Sequence, residues 1–414
     1  AQATGMGIFA NIVAQARFVH LAFAIMLATL AFPLSKSAPK DRIPAYDWVL
    51  VVLGVASCLY LVVFRFQIAD RPGLWNASDI IMSCIGMVVL LIAVYRSLGL
   101  PLVIIASAFV AFAFFGGYSE WAREITNYGG ASLSKAHGHN WMQTEGVFGV
   151  ALGVSTSMIF LFVLFGALLD RAGGGSWFIK VAIAMLGALR GGPAKASVLS
   201  SMLTGMISGS SISNTVTTGT FTIPLMKRIG FPAEKAGAVE VASSTNGQLT
   251  PPVMGAAAFL MVEYVGISYL EVIRHALLPA LIAYLALFYI VHLEALKAGM
   301  RGIHRTARSL AQRLLGVLAG FIAVTGLAAG LYYGLGWLKT LAGDASAPLV
   351  GLLLLAGYVM TVRAAAALPE APRELDAGQI PDFRPTLLSG LHFLLPVIVL
   401  VWNLVVERLS PGLA

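Results

Sequence analysis

The stretch GMISGSSISNTVTT at Gly205–Thr218 contains the polar string SGSSISNT at Ser208–Thr215. Two apolar segments, Ala194–Ile207 and Ile212–Leu225, flank this string. Each segment is shorter than the about 20 residues that a helix needs to cross a bilayer. Together they predict a re-entrant helical hairpin over residues 194–225, which enters and leaves the membrane on one side. Backbone that is not helical is tolerated at membrane depth only where protein buries it or where it lines a cavity.

The tip of this predicted hairpin is rich in side chains that carry oxygen. Helix ends leave backbone carbonyls free for a cation and N–H groups free for a carboxylate, so the composition predicts a binding site. A plainer explanation is that small polar residues let membrane helices pack closely, which accounts well for one such residue but poorly for a cluster. The cluster comprises Ser208, Ser210, Ser211, Ser213, Asn214, Thr215, Thr217 and Thr218.

A second interruption, STNGQLTPP, follows at Ser244–Pro252. Gly247 permits backbone angles that other residues avoid. The pair Pro251–Pro252 lacks two N–H donors and ends any helix that reaches it. The pattern predicts an unwound helix over residues 244–252, with spare carbonyls beside hydroxyl side chains. Paired broken elements of this kind form the substrate and ion sites of secondary transporters.

The composition places the chain in a membrane. Of its 414 residues, 58% are hydrophobic and 11% are charged, and the mean hydropathy is +0.85, whereas a soluble domain has about 25% charged residues. The net charge is +8, but the basic residues lie mainly between apolar runs, which indicates membrane topology and not a nucleic-acid partner. We therefore predict an all-α, polytopic helical protein surrounded by lipid.

The order of the apolar runs predicts three regions. Residues 1–118 should form a four-helix scaffold bundle, 119–146 a polar connector with an interfacial helix around Trp121, and 147–414 a transport domain that contains the hairpin. The runs of the bundle are Phe18–Leu34, Trp48–Phe66, Ala77–Tyr95 and Leu100–Tyr118. The further runs of the transport domain are Val147–Leu169, Trp177–Leu189, Pro251–Val265, Leu270–Leu293, Leu314–Leu335, Pro348–Val362 and Leu387–Val406.

Three strings in the chain are typical of one family of transporters. They are GGPAK at Gly191–Lys195, ISGSSISNTVTTGTFTIPLMKRIGFPAEKAGAVEVASS at Ile207–Ser244 and GQLTPPVMGAAAFLMVEY at Gly247–Tyr264. Through them the chain resembles the fused permease of tripartite ATP-independent periplasmic (TRAP) transporters, in the TAXI branch. The resemblance is strong over Thr144–Arg305, and the four opening runs match the family's small membrane subunit by position and number.

The resemblance implies cation-driven import of a small organic acid across the inner membrane of a bacterium or archaeon. A periplasmic substrate-binding protein would deliver the acid, and the transport domain would move like an elevator. Permeases of the family carry two inverted halves, each with a hairpin and a broken helix. Because one such pair is evident here, we expect the first half of the large subunit, with the remaining half in a separate chain or a missing segment. Alone, this chain should not transport.

The resemblance also implies which residues bind the coupling ion, Na⁺ or H⁺, and the substrate, and it implies no other cofactor and no transition metal. The implied ion ligands are Ser208, Gly209, Ser210, Ser211, Asn214, Gly247, Thr250 and Pro251. The implied substrate contacts are Asn214, Thr215, Thr218 and Thr245. Every one of these residues offers oxygen, which is the ligand atom that hard cations prefer.

Two acids, Glu240 and Glu263, lie in or near apolar helices, where an ionisable group is expensive and indicates function. Either is able to carry a coupling proton; the simpler interpretation is a carboxylate paired with Lys235 or placed at an interface. The pair His137 and His139, in HGHN, has the chemistry to bind a metal ion, although a solvated loop is the simpler interpretation there.

Charged and aromatic residues at the ends of apolar runs are interpreted as interfacial. The dipeptide Asp170–Arg171 is predicted to end a helix at the membrane surface. Trp48, Trp75 and Trp141 are predicted to anchor the chain near the lipid headgroups.

Functions of other classes have less support. An enzyme is not predicted, because the sequence lacks the His-Glu-x-x-His motif of metalloproteases and the phosphate-binding loop of nucleotide hydrolases. A carrier similar to the divalent-anion/sodium symporters is an alternative, since SNT at Ser213–Thr215 is similar to their hairpin motif. A non-transporting membrane scaffold is another, but a scaffold would not need such a hairpin tip.

Overall fold

The structure, a computed structural model, describes residues 2–34, 39, 42–118, 120, 124, 129–300, 326, 330, 333–334, 337, 340–368, 380–405, 407 and 409. These residues form helices, turns and loops, with no strand among them. Six of the described helices are long and apolar enough to cross a membrane, which confirms the predicted polytopic helical class. The six segments are Ala14–Ala31, Ala45–Val63, Ala77–Leu98, Val150–Arg171, Tyr269–Lys297 and Pro348–Ala366.

The chain divides into two compact units, Ala1–Ser157 and Met158–Ala414. The helices of the first unit are α1 (Gln2–Ala31), α2 (Ala45–Val63), α3 (Arg65–Ala69), α4 (Ala77–Leu98), α5 (Leu100–Phe115), α6 (Leu133–His137) and α7 (Val150–Val154). A capping box begins α4: Asn76 and Asp79 each accept the other's backbone N–H at 2.9 Å. This exchange satisfies two of the donors that a helix start leaves free.

The core of the first unit forms around Trp141, which is fully buried. Its ring packs edge-on against Phe148, with 5.1 Å between centroids, and it fills the space that a side chain on Gly86 would occupy. The prediction that Trp141 anchors the chain near headgroups is therefore wrong, because this part of the connector packs into the core. Trp48, in contrast, is exposed.

Two buried carboxylates join α2 to α4 at the two ends of these helices. Asp47, in the first turn of α2, accepts from Arg96, in the last turn of α4, at 2.6 Å. At the other end, Asp79 accepts from the Tyr60 hydroxyl at 2.7 Å and from Arg71 at 3.2 Å. Because α2 and α4 run antiparallel, each helix supplies one carboxylate, and each carboxylate has a basic partner.

The motif HGHN forms polar contacts within the first unit. His137 Nδ1 lies 3.0 Å from Ser83 Oγ, and its Nε2 lies 3.4 Å from Cys84 Sγ. Burial lowers the pKa of His137, which favours the neutral imidazole. His139 pairs with Glu145 at 3.3 Å on the surface. The described residues contain no group of three or more metal-ligating side chains.

The second unit is built around three packed helices. Its helices are α8 (Phe160–Arg171), α9 (Gly174–Leu186), α10 (Gly192–Ser208), α11 (Ser211–Arg228), α12 (Ala233–Gly247), α13 (Ala256–Val265), α14 (Tyr269–Lys297), α15 (Ser346–Ala366), α16 (Phe383–Leu388) and α17 (Leu394–Val405). Helices α10, α11 and α12 pack on one another, and α14 packs against α10 and α12. Val198, Met226 and Val291 are buried where these helices meet.

Several predicted runs differ from the structure. In Leu100–Tyr118 and Trp177–Leu189 the helices α5 and α9 have 16 and 13 residues, which is short for a bilayer crossing. The run Pro251–Val265 is not one helix: its first part is irregular, and α13 has only 10 residues, too few to cross a bilayer. The run Leu387–Val406 is interrupted at Gly390, where a side chain would overlap the Trp177 ring. The predicted helix around Trp121 and most of the run Leu314–Leu335 lie outside the described residues.

Candidate functional site

Helices α10 and α11 form the predicted helical hairpin, and a two-residue turn joins them. The turn consists of Gly209 and Ser210. Gly209 has φ +62°, which favours glycine, and a side chain there would come within 2.5 Å of the Met254 carbonyl oxygen. Ser210 caps α11 by accepting from the Ser213 N–H at 3.3 Å. The sequence therefore folds this way because the tip needs one residue without a side chain and one with a hydroxyl.

The predicted unwound segment is present, but it begins later than expected. Helix α12 continues to Gly247, and the non-helical stretch runs over residues 248–255. The reason is that Ser244–Gly247 retain helical hydrogen bonds until the Pro251–Pro252 pair ends the pattern. The predicted start of the break at Ser244 is therefore wrong by four residues.

The broken segment packs directly against the hairpin. Gly247 meets Gly205 of α10 so closely that a side chain on Gly205 would lie 2.9 Å from the Gly247 Cα. The Val253 N–H donates to the Met206 carbonyl at 3.3 Å, and Gln248 Nε2 donates to Ser211 Oγ at 2.7 Å. The tip and the break are thus one structural element.

Asn214 ties the two limbs of the hairpin to α12. Its side chain is buried, and its Nδ2 donates to the Ser201 carbonyl at 2.9 Å and to Ser244 Oγ at 3.1 Å. Its Oδ1 accepts from Thr204 Oγ1 at 2.6 Å. Both amide protons are therefore in use, and one lone pair of the oxygen remains available to a ligand.

Glu240 lies at the centre of a cage of hydroxyl groups. Its side chain is fully buried, and it contacts the hydroxyls of α10, α11 and α12. We call these four residues the hydroxyl cage: Ser201, Thr218, Thr222 and Ser244. The expected alternative, a pair with Lys235, is wrong, because Lys235 forms its ion pair with Glu294.

A cavity of about 350 Å³ opens beside the hairpin tip. One side is formed by the tip and the other by the end of α8, where the dipeptide Asp170–Arg171 ends a helix as predicted. Arg171 makes no ion pair with any described residue, so its charge is available to a ligand. The polar residues that line the cavity are Asp170, Arg171, Thr204, Ser208, Ser210, Ser213, Asn214 and Thr217.

The sequence-predicted site residues fall into three groups. Ser208, Ser210 and Asn214 line the cavity. Thr218 and Glu240 belong to the buried cage behind it. The others are outside the cavity lining. Those at the tip or the break are Gly209, Ser211, Thr215, Gly247, Thr250 and Pro251, and those exposed on helices are Thr245 and Glu263.

Sequence reasoning missed Arg171, Thr204 and three members of the cage, Ser201, Thr222 and Ser244. Arg171 had one available signal, since it is a charge between an apolar run and the GGG at Gly173–Gly175. Ser201 and Thr204 also had a signal, because they stand on α10 with the spacing that places side chains on one helix face. Thr222 lies one turn after Thr218 and follows the same rule.

Comparison with known proteins gives matches to one family of transporters. The family model described as "Tripartite ATP-independent periplasmic transporter, DctM component" matches residues 85–349. Over 137 residues the chain is 34% identical to the C4-dicarboxylate TRAP transporter large permease protein DctM of Vibrio cholerae, covering 32% of this chain and 29% of that protein. Over 174 residues it is 30% identical to the protein of the same name from Pseudomonas aeruginosa, covering 41% of each.

The matches define a family and a class of function. The chain spans less than half the length of the curated relatives it matches. These relatives are transporters and not enzymes. The six apolar helices of this chain fit a multi-pass protein of the inner membrane. With the family model matching well over half of its residues, the chain belongs to the DctM component family of tripartite ATP-independent periplasmic transporters.

Proposed function

We propose that this chain is the membrane permease component of a cation-coupled secondary transporter that imports a small organic acid. The observation that carries the proposal is the cavity at the hairpin tip. It combines hydroxyl groups and the Asp170 carboxylate with the guanidinium of Arg171, which forms no ion pair with a described residue. A carboxylate in the cavity would meet this guanidinium and the N-terminal end of α11, and both favour negative charge.

The coupling cation would bind at the tip and the break. The ion ligands would come from the turn at Ser208–Ser211, from Asn214 and from Gly247, Thr250 and Pro251, which offer carbonyl, amide and hydroxyl oxygen. The close packing of Gly205 on Gly247 supports a shared site, because it holds the tip against the break.

The substrate would lie against the tip with its carboxylate toward Arg171. Of the four substrate contacts that the sequence suggested, Asn214 lines the cavity, and Thr215, Thr218 and Thr245 do not. The named relatives are C4-dicarboxylate permeases, so a small dicarboxylate is the first substrate to test. We assign the chain to the TAXI branch on the strings around the hairpin.

The assignment to this family of transporters also implies the other components of the transporter. A periplasmic binding protein would deliver the substrate, and residues 1–118 would serve as the fused small-subunit bundle. The hairpin would re-enter the membrane and move as part of an elevator domain. The second hairpin and broken helix would come from the remaining half of the permease.

Uptake into proteoliposomes tests the proposal. The protein would be reconstituted with its remaining half and its binding protein, and succinate uptake measured under a Na⁺ or a pH gradient. We expect Ser211→Ala and Asn214→Ala to abolish gradient-driven uptake. Arg171→Gln should raise the KM for succinate about tenfold to about a hundredfold, because a charge-assisted hydrogen bond is lost.

Matched variants separate the site from general damage. Arg171→Lys keeps the charge and should recover part of the affinity, and Arg190→Gln removes a basic residue that is not in the cavity lining and should leave KM unchanged. Uptake at the wild-type rate in Ser211→Ala and Asn214→Ala, with an unchanged KM in Arg171→Gln, would place the site elsewhere.

A further inference from the structure

Glu240 has an environment that is unusual for a buried carboxylate. It is fully buried, and in the described residues its partners are the four hydroxyls of the cage, with no basic side chain among them. An ionised carboxylate away from water is expensive when no cation compensates it, and a neutral acid is not.

The helices packed around Glu240 carry other titratable groups, but no described contact links them to its carboxyl group. The nearest in sequence, Lys235, pairs with Glu294, and the Tyr284 hydroxyl donates to the Ser243 carbonyl at 3.0 Å. The charged and titratable residues of α10, α11, α12 and α14 are Lys195, Lys227, Arg228, Glu234, Lys235, Tyr269, Glu271, Arg274, His275, Tyr284, Tyr289, His292, Glu294 and Lys297.

The hydroxyls of the cage have too few protons for the contacts that they make. Each hydroxyl has one proton to donate. The two serines donate to Glu240 Oε1, at 2.7 and 3.1 Å. Each of the two threonine hydroxyls contacts Glu240 and also a backbone carbonyl oxygen. Thr218 Oγ1 lies 2.7 Å from the backbone oxygen of Asn214, and Thr222 Oγ1 lies 3.0 Å from the backbone oxygen of Thr218. These six contacts and a seventh, between Ser201 Oγ and Thr218 Oγ1 at 3.3 Å, share four protons, so three contacts lack one.

A proton on Glu240 removes one of these three deficits. Oε2 has Thr222 Oγ1 as its partner at 2.6 Å. If Oε2 carries a proton, it donates to Thr222, and the hydroxyl proton of Thr222 then serves the Thr218 carbonyl. Oε1 remains an acceptor for the two serines. Without that proton, two oxygen atoms would face each other at hydrogen-bond distance with nothing between them.

A short chain of hydrogen bonds connects Glu240 to the cavity. Asn214 lines the cavity and donates to Ser244 at 3.1 Å. Ser244 in turn donates to Glu240 at 3.1 Å. A change in the contacts of Asn214, as when the cavity fills, would therefore alter the donors that Glu240 receives.

We propose that Glu240 is the carrier of the coupling proton, held as the neutral acid when the hydroxyl cage is closed. This inference rests on the proposed transport function and selects H⁺ as a coupling ion. The cage draws on α10, α11 and α12, so separation of α12 from the hairpin opens it. The O–H bond of the acid then breaks, the proton passes to water on the cytoplasmic side, and the carboxylate takes up a proton from the outer side in the next cycle.

Infrared difference spectroscopy on the reconstituted full-length transporter tests the proton directly. Near neutral pH we expect a carbonyl band of a protonated carboxylic acid, which ionised carboxylates lack, and we expect Glu240→Gln to remove it. Glu263→Gln is the matched control: Glu263 is exposed on α13, and the same substitution there should leave the band unchanged.

Transport assays test whether this proton is coupled. Glu240→Gln should abolish uptake driven by a pH gradient but keep exchange of substrate across membranes with equal pH on both sides, since exchange needs no proton release. If Glu240→Gln does not fold, Thr222→Val tests the same assignment by infrared spectroscopy. This variant keeps Glu240 but lacks the hydroxyl that accepts its proton, so the acid band should shift relative to the wild type.

Each result decides the inference separately from the proposed function. An acid band that survives in Glu240→Gln, or that is absent from the wild type, would overturn the assignment even if transport is observed. Uptake driven by the pH gradient at the wild-type rate in Glu240→Gln would also overturn it. A wild-type protein with the acid band at Glu240 but with no uptake of any organic acid would instead contradict the proposed function.

Discussion

The two units both bury carboxylates, but they compensate them in different ways. In the first unit Asp47 pairs with Arg96 at 2.6 Å, and Asp79 pairs with Arg71 at 3.2 Å. Among the described residues of the second unit, the side-chain partners of Glu240 are hydroxyls and none is basic. A carboxylate that is paired with a cation leaves that cation without compensation if the pair is broken. A carboxylate held by hydroxyls alone can accept and release a proton without leaving a partner charge behind.

Under the proposal made above, this difference separates the structural role of Asp47 and Asp79 from the functional role of Glu240. Ion pairs at both ends of α2 and α4 hold those helices in one arrangement. The hydroxyl cage joins three helices by contacts that are individually weaker, because neutral hydrogen bonds contribute about 1 kcal/mol each. Such a cage can open during a transport cycle, whereas breaking a buried ion pair costs about 3–5 kcal/mol.

Replacing a carboxylate by its amide should cost different amounts of stability in the two units. Asp47→Asn leaves Arg96 buried without its partner, and we expect a loss of about 3–5 kcal/mol of stability. Glu240→Gln leaves no unpaired ion but brings an additional N–H donor into the hydroxyl cage, and we expect a smaller loss of about 1–3 kcal/mol. Thermal unfolding of each variant in detergent measures the difference.

A double variant checks the reason for the first effect. Asp47→Asn combined with Arg96→Met removes both charges and should recover part of the lost stability, because no unpaired ion remains. Equal destabilisation by Asp47→Asn and Glu240→Gln would remove the contrast, since it would mean that Glu240 is ionised and as strongly held as Asp47.

The helical class and the position of the hairpin tip could be predicted from sequence, because both depend on local composition. The run lengths gave the helices, and the string at Ser208–Thr218 marked the hairpin tip. The environment of Glu240 could not be predicted, since its partners Ser201 and Thr222 lie 39 and 18 residues away. Arg171 was interpreted as a helix end for the same reason: only the folded chain places it beside the tip.

Close backbone packing in the second unit offers a test of intermediate size. A side chain on Gly205 would lie 2.9 Å from the Gly247 Cα, and backbone cannot move aside as a flexible side chain can. Gly205→Ala should therefore cost about 1–3 kcal/mol and reduce uptake, because it pushes the break away from the hairpin. Thermal unfolding and proteoliposome uptake measure the two effects.

Gly237→Ala is the control for this prediction. Gly237 lies on α12 with no atom within 4 Å of the added methyl group, so the substitution should stabilise the helix by up to about 1 kcal/mol. If Gly205→Ala and Gly237→Ala behave alike, the contact between Gly205 and Gly247 does not hold the hairpin against the break.

Helix caps in the two units offer the test with the smallest effect on stability. Asn76 caps α4 in a reciprocal box with both bonds at 2.9 Å, whereas Ser210 caps α11 through one longer bond of 3.3 Å. Asn76→Ala should therefore cost about 1 kcal/mol and Ser210→Ala about 0.5 kcal/mol, measured by thermal unfolding.

The order should reverse for transport, because Ser210 lines the cavity and Asn76 belongs to the first unit. A cap that is weak for folding yet necessary for uptake has its hydroxyl directed to a ligand. If Ser210→Ala instead lowers stability more than Asn76→Ala and leaves uptake unchanged, the tip is an ordinary helix start.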